Sequence, residues 1–265
     1  MLREAFLING MLFNVEAWYG MTKKDIEELE EIDKILLRKI LSAHSKTPVE
    51  ALYLELGCLP IRYILICRRL MFLHYLLTRK DNDILTKFFQ AQEKYPTKND
   101  WTLTVIENLK EINLDLQFND IKKMKKETFG RIMKRKVREK ALLDLMLLKR
   151  THSKLHDLNY SDLELQTYLK SNRIYANKAK ELFKFRTRMA EVKVNFKGKY
   201  GDNLNCPMGC NALDTQQHLL QCEKNPTDLN ISNYKDLFSS NISKNIQVID
   251  QLVRALKNRE TETNE

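Results

Sequence analysis

The sequence predicts an all-α fold: an irregular multi-helix bundle that ends in a small Cys/His knuckle near the C-terminus. Three observations predict it. Only 7 Gly and 5 Pro interrupt 265 residues, too few for a β-sandwich with many tight turns. Apolar residues recur at helical spacing, and no strand-like alternation of any length occurs. Three cysteines gather around one histidine after residue 200. The apolar fraction of 43% is that of a chain able to fold.

The elements follow in order. The chain opens apolar at once, with Leu2, Ala5, Phe6, Ile8, Met11 and Leu12. No polar cap precedes them. Such a start fits a helix entered partway or an ordinary first helix. Thr22-Lys-Lys-Asp25 resembles a capping box, followed by Ile26, Leu29, Ile32, Leu36, Leu37 and Ile40 at helical spacing. Thr47-Pro48-Val49-Glu50 predicts a second start, with Thr47 as the cap and Pro48 at the first helical position. Gly57 suits the end of that short helix. Pro60 opens a long one to about Thr78, and Asp83 and Asp100 cap helices ending near Glu93 and Glu111, with Pro96 in the loop between. Asn119 is the candidate cap in the transition that follows.

From Lys126 to Arg150 a long helix is expected, with the apolar edge Phe129, Met133, Val137, Ala141, Leu145 and Leu148. Its other edge carries Arg131, Lys134, Arg135 and Arg138, which share one face as a basic stripe. Further helices are predicted at Asp162–Lys170 and at Ala176–Val194, the latter with Lys180, Lys184 and Arg188 at steps of four. On it Phe183 and Phe185 are not expected to face the core together. Helical segments at Asn233–Phe238 and Ser243–Asn258 and a frayed tail, Glu260–Glu265, complete the chain.

Charge divides the sequence. The formal net charge is +10, yet residues 121–200 hold 23 Lys and Arg against 8 Asp and Glu. A mildly acidic body therefore carries a strongly basic middle, the balance of a protein with an anionic partner, nucleic acid first. The apolar stretch Leu59–Leu77 contains Arg62, Arg68 and Arg69, too much charge for a bilayer core. No membrane partner is predicted. Cys58 and Cys67 sit in apolar patterns and read as buried thiols. A reducing compartment is expected, so the protein is placed in the nucleus or cytoplasm and is not secreted.

The sharpest motif is Cys206-Pro-Met-Gly-Cys210, then His218, then Cys222. Two cysteines on a tight turn, eased by Gly209, supply one edge of a tetrahedron. Asp214-Thr-Gln-Gln217 reads as a cap opening a short helix. On it His218 and Cys222 are four residues apart, on one face and about 6 Å along the axis. The set predicts one structural Zn2+, with every position filled by protein and none left for a catalytic water. The alternative is three unrelated buried thiols and one histidine. His152 and His156 are better read as imidazoles at a helix C-terminus than as a second metal pair. His74, amid Phe72, Leu73, Tyr75 and Leu76, reads as a hydrogen-bonded packing residue.

The stripes are either solvated faces or phosphate contacts, and Tyr175, Phe183, Phe185, Phe196 and Tyr200 lie near enough to offer stacking surfaces. There is no phosphate-binding glycine loop, no HExxH or GxSxG motif and no Asp-Asp pair. An enzyme is not expected.

Several segments together resemble one family. Leu2–Gly20 (LREAFLINGMLFNVEAWYG), the following helix ending in LLRKIL, and TPVEALYLELGCLPIRYILICRRLMFLHYLL resemble the thumb region after the catalytic palm of non-LTR (LINE-type) retrotransposon reverse transcriptases. Within the family's YGSETW-like motif only Glu16 and Trp18 are retained. LFKFRTRMAEVKVNF and the CPMGC…DTQQHLLQC cluster are similar to the family's zinc knuckle, with Cys206, Cys210, His218 and Cys222 as the implied ligands. The family's aromatic-x-Asp-Asp polymerase motif has no counterpart here. The resemblance implies a thumb-like region (1–115), a basic helical region (116–200), a zinc knuckle (201–225) and C-terminal helices with a polar tail (226–265). It further implies part of a retroelement reading frame that holds RNA template and DNA primer without its own polymerase centre. The palm and fingers of a full element would be its partners. A zinc-braced protein–protein module and a decayed fragment without selected function are the alternatives.

Overall fold

The computed structural model describes residues 3–18, 20–80, 83–95, 97, 100–225 and 234–262. Leu2, Tyr19, Pro96, Asn233 and residues 263–265, which the sequence reading touched, lie outside the described residues, as do the side chains of Phe6 and residues 260–262. The fold is all-α. Arg3–Ile8 winds as a π-helical turn and leads into α1 (Asn9–Met11). There follow α2 (Lys23–Leu41), α3 (Val49–Leu56), α4 (Ile61–Thr78), α5 (Ile84–Lys94), α6 (Trp101–Glu111), α7 (Phe118–Lys123) and α8 (Lys126–Lys149). Then come α9 (Thr167–Lys170), α10 (Ala176–Arg186), α11 (Lys197–Tyr200), α12 (Gln216–Gln221) and α13 (Ile242–Glu262). No strand occurs among the described residues, only an isolated bridge between Asn205 and Leu213. No helix among them is long and apolar enough to cross a membrane.

The chain folds as two units, residues 1–37 with 58–145 and residues 38–57 with 146–265. In the first, α4 packs against α5, α6, α7 and the 3-10 turn Val15–Ala17. Trp101 of α6 meets Phe72 and Phe89 edge-on and donates its indole N–H to Glu16 O at 2.7 Å. Helix α8 lays Phe129, Met133, Val137, Ala141 and Leu145 into the core as its spacing requires. Leu148 is the exception and stands half exposed. His74 is buried as predicted, its Nε2 2.9 Å from Met124 O and its ring stacked on Phe129. The N-terminal turn is fixed by Arg3, which forks onto the buried Asp33 carboxylate at 2.6 and 2.7 Å and reaches Leu59 O.

In the second unit α10 packs against α9, α13 and the 3-10 turn Tyr234–Phe238. Enclosed from several sides, it buries both Phe183 and Phe185, contrary to the expectation from a single helical face. At its end the fully buried Glu55 accepts hydrogen bonds from Arg186 Nε (2.9 Å), Tyr160 OH (2.6 Å) and Tyr168 OH (2.9 Å). Arg186 also donates to Leu237 O and lies over the rings of Tyr168 and Phe238. Burial works against its charge, but Glu55, Tyr160 and Tyr168 together outweigh burial and raise the guanidinium pKa.

The helix starts follow local sequence only in part. Thr22 and Asp25 form the expected reciprocal box, with Thr22 N to Asp25 Oδ2 at 2.7 Å and Asp25 N to Thr22 Oγ1 at 3.2 Å. Gly57 ends α3 at φ +59°, where a Cβ would also collide with the Glu164–Leu165 backbone. Asp83 caps α5, while Asp100 holds the cap position of α6 but turns its carboxylate back onto Thr97. Pro48, not Thr47, is the half-in residue before α3, since its ψ of 138° delays the helix to Val49. Asn119 lies inside α7, whose cap is Gln117 in a reciprocal box with Asp120. The predicted helix 162–170 shrinks to α9, because Gln166 is extended and its N donates to Glu55 O at 3.1 Å. Cys58 lies between α3 and α4; it and Cys67 are partly exposed as residues, but burial pushes both thiols up in pKa, as expected of buried sulfurs.

Candidate metal centre and basic faces

The knuckle begins as a tight reversal. Cys206 N donates to Ala212 O at 2.8 Å and Asp214 N to Leu204 O at 2.8 Å, pairing the two arms. Gly209, at φ +70°, lets the chain turn so that its N–H reaches Cys206 O at 3.2 Å. Lys224 Nζ latches the turn by donating to Gly209 O at 2.9 Å. The second half is α12. Its cap is Thr215, whose Oγ1 accepts from His218 N at 3.0 Å. Asp214, the residue expected there, is drawn away: its Oδ2 accepts from Lys193 N at 2.7 Å and from the Arg259 guanidinium.

These two devices bring four ligand atoms together. Cys210 Sγ lies 3.0 Å from His218 Nε2 and 3.5 Å from Cys222 Sγ, which lies 3.9 Å from Cys206 Sγ. All four atoms fall within 4.8 Å of one another. A tetrahedral ion with metal–sulfur bonds near 2.3 Å needs ligand separations of about 3.8 Å. Cys206 and Cys222 are buried, and Cys210 and His218 are half-buried. The cluster can therefore hold one metal ion, and three soft thiolates with one imidazole suit zinc by chemistry. No protein-family model, curated protein or solved structure matches the chain.

His152 and His156 do not form a second cluster. His152 Nε2 lies 3.4 Å from Glu50 Oε2, while the His156 side chain is 88% exposed. The α8 stripe is presented to solvent: Arg131, Lys134 and Arg135 are exposed and Arg138 is half-buried. Arg135 makes one loose contact, 3.7 Å from Glu139. Lys134 also lines an open cleft of about 730 Å3, with Arg68 and Lys126 among its other walls.

The second predicted stripe is broken up. Helix α10 stops at Arg186, where Thr187 Oγ1 bonds back to Phe183 O at 2.9 Å. Arg188 then takes φ +53°, outside the helix, and pairs with Asp157 Oδ2 at 2.6 Å above the Tyr234 ring. Burial opposes its charge, but Asp157 and Tyr234 together more than compensate and raise its pKa. Lys184 is held by Glu181 at 2.7 Å, and Lys180 is half-buried. Of the aromatic candidates, Tyr175 stands exposed, Phe196 and Tyr200 are half-buried and the two α10 phenylalanines are sealed in the core.

Proposed function

We propose that this chain binds nucleic acid through the cations of α8, and that a structural zinc ion on Cys206, Cys210, His218 and Cys222 braces its second unit. The observation that carries the reading is the two-sidedness of α8: five residues of one edge are core, and Arg131, Lys134 and Arg135 of the other are exposed. Exposed cations at one-turn spacing match a phosphate backbone, release its counterions and read little sequence. The zinc has no catalytic part in this reading, since four protein ligands leave it no open position. No sequence motif, and no cluster among the described residues, supports a polymerase or nuclease centre, so the proposed activity is binding alone.

By its resemblance to non-LTR retrotransposon reverse transcriptases, the bound partner is the RNA template or DNA primer of such an element. Exposed Ile84, Leu85 and Phe88 on α5 favour an added protein contact, which in that setting is the palm or fingers. Filter binding of the intact protein to a labelled RNA oligonucleotide at two salt concentrations tests the main reading. Affinity that drops steeply with salt is expected, and absent or salt-independent binding removes it.

A further inference from the structure

Beside the metal cluster, α10, α11, α13 and the Cys206–Cys210 turn border an open cleft of about 420 Å3. Its walls carry Lys184, Lys193, Lys199, Lys257 and Arg259 against only two carboxylates, Glu181 and Glu191. Three of the cations are engaged. Lys184 pairs with Glu181, Arg259 with Asp214 and Glu191 O, and Lys199 lies 5.1 Å over the Tyr200 ring. The side chains of Lys193 and Lys257 have no hydrogen-bond or ion-pair partner among the described residues. Pro207, from the turn that carries the first two thiols, lines the same cleft.

We infer that this cleft seats the phosphodiester backbone of a single nucleic-acid strand, with Lys193 and Lys257 as its phosphate contacts. The inference rests on the nucleic-acid reading above and gives it a second site. The excess of positive charge in a recess calls for a polyanion, because low-dielectric walls focus the field on whatever enters. Its volume is that of a small-ligand pocket, room for a short stretch of one strand. The half-buried Tyr200 ring at its edge offers a surface on which one base can stack. Sequence spacing gives no hint of the site, because Lys193, Lys199 and Lys257 share no helical face and meet only in the fold.

The test uses the full zinc-loaded chain and a labelled 12-nucleotide single-stranded RNA across a salt series. Lys193→Ala with Lys257→Ala is expected to weaken binding roughly tenfold and to flatten the log–log salt slope by about 1.4, two phosphates' worth for a single strand. Lys193→Arg with Lys257→Arg is expected to bind within about twofold of the parent, since the charges remain. Wild-type slope and affinity in the alanine pair would overturn the cleft and leave the α8 reading standing, whereas a parent protein that binds no RNA would remove both. Polyglutamate that displaces the RNA as well as unlabelled RNA of equal charge would also overturn it and assign the cleft to an acidic protein. Photocrosslinking of 4-thiouridine RNA to the parent gives a readout independent of variant folding: crosslinks in the peptide containing Tyr200 support the site, and crosslinks confined to other peptides contradict it.

Discussion

Cys206 sits on a turn and Cys222 at the end of a one-and-a-half-turn helix, yet their sulfurs are 3.9 Å apart. Little apolar packing lies between them beyond Met208 and the ligands' own carbons. In the proposed reading a bound zinc ion adds to the backbone pairing that holds these arms together, as metal does in other small metal-bound modules. Cys206→Ser in the intact chain is expected to lower zinc from about one per chain to well below it and to reduce the melting temperature. Elemental analysis beside calorimetry checks this, and undiminished zinc would show that Cys206 is no ligand. Acid is expected to act like the substitution: the ligands bind metal deprotonated, so falling pH puts protons in competition with the ion. The cluster of Cys206, Cys210, His218 and Cys222 was legible because the four lie within residues 206–222 and their spacing is itself the geometry. The helix cap beside them was misread for the opposite reason. Asp214 answers to Arg259, far along the sequence, and Thr215 is left to cap. Glu55 was invisible on the same ground, because its partners lie 105, 113 and 131 residues away.

Among the helices, α8 was the most legible. Its 24 residues alternate strong helix formers with a clean apolar edge and need no distant partner to declare a face. Helix α10 was less so, since it ends without Gly or Pro, by the back-bonded Thr187 and the left-handed Arg188. The functional consequence is that the phosphate-contact reading rests more on α8 than on Lys180, Lys184 and Arg188, two of which already have acidic partners. Arg131→Glu with Lys134→Glu is expected to reduce RNA affinity by more than roughly tenfold at low salt. Its thermal melt should stay close to the parent's, because exposed charges contribute little to stability. A variant that folds and binds as tightly as the parent would assign the stripe to simple solvation.

For the whole molecule, the all-α class was plain from composition and periodicity, but the grouping of helices was not. Residues 38–57 leave the segments on either side of them to join the second unit, which no local pattern announces. The first unit likewise needs residues up to 145, whose Phe129, Met133 and Val137 complete its core. Residues 1–115 expressed alone therefore lack that edge and are expected to be poorly soluble and to melt without a cooperative transition. A sharp calorimetric melt of a soluble monomer would refute this. The proposed function stands or falls on nucleic-acid binding, which equilibrium titration of the intact protein with single-stranded RNA across a salt series measures. A straight log–log decline with a slope of about −2 or steeper is expected, three or more phosphates at roughly 0.7 each. A flat line, or no binding at the lowest salt, would contradict it.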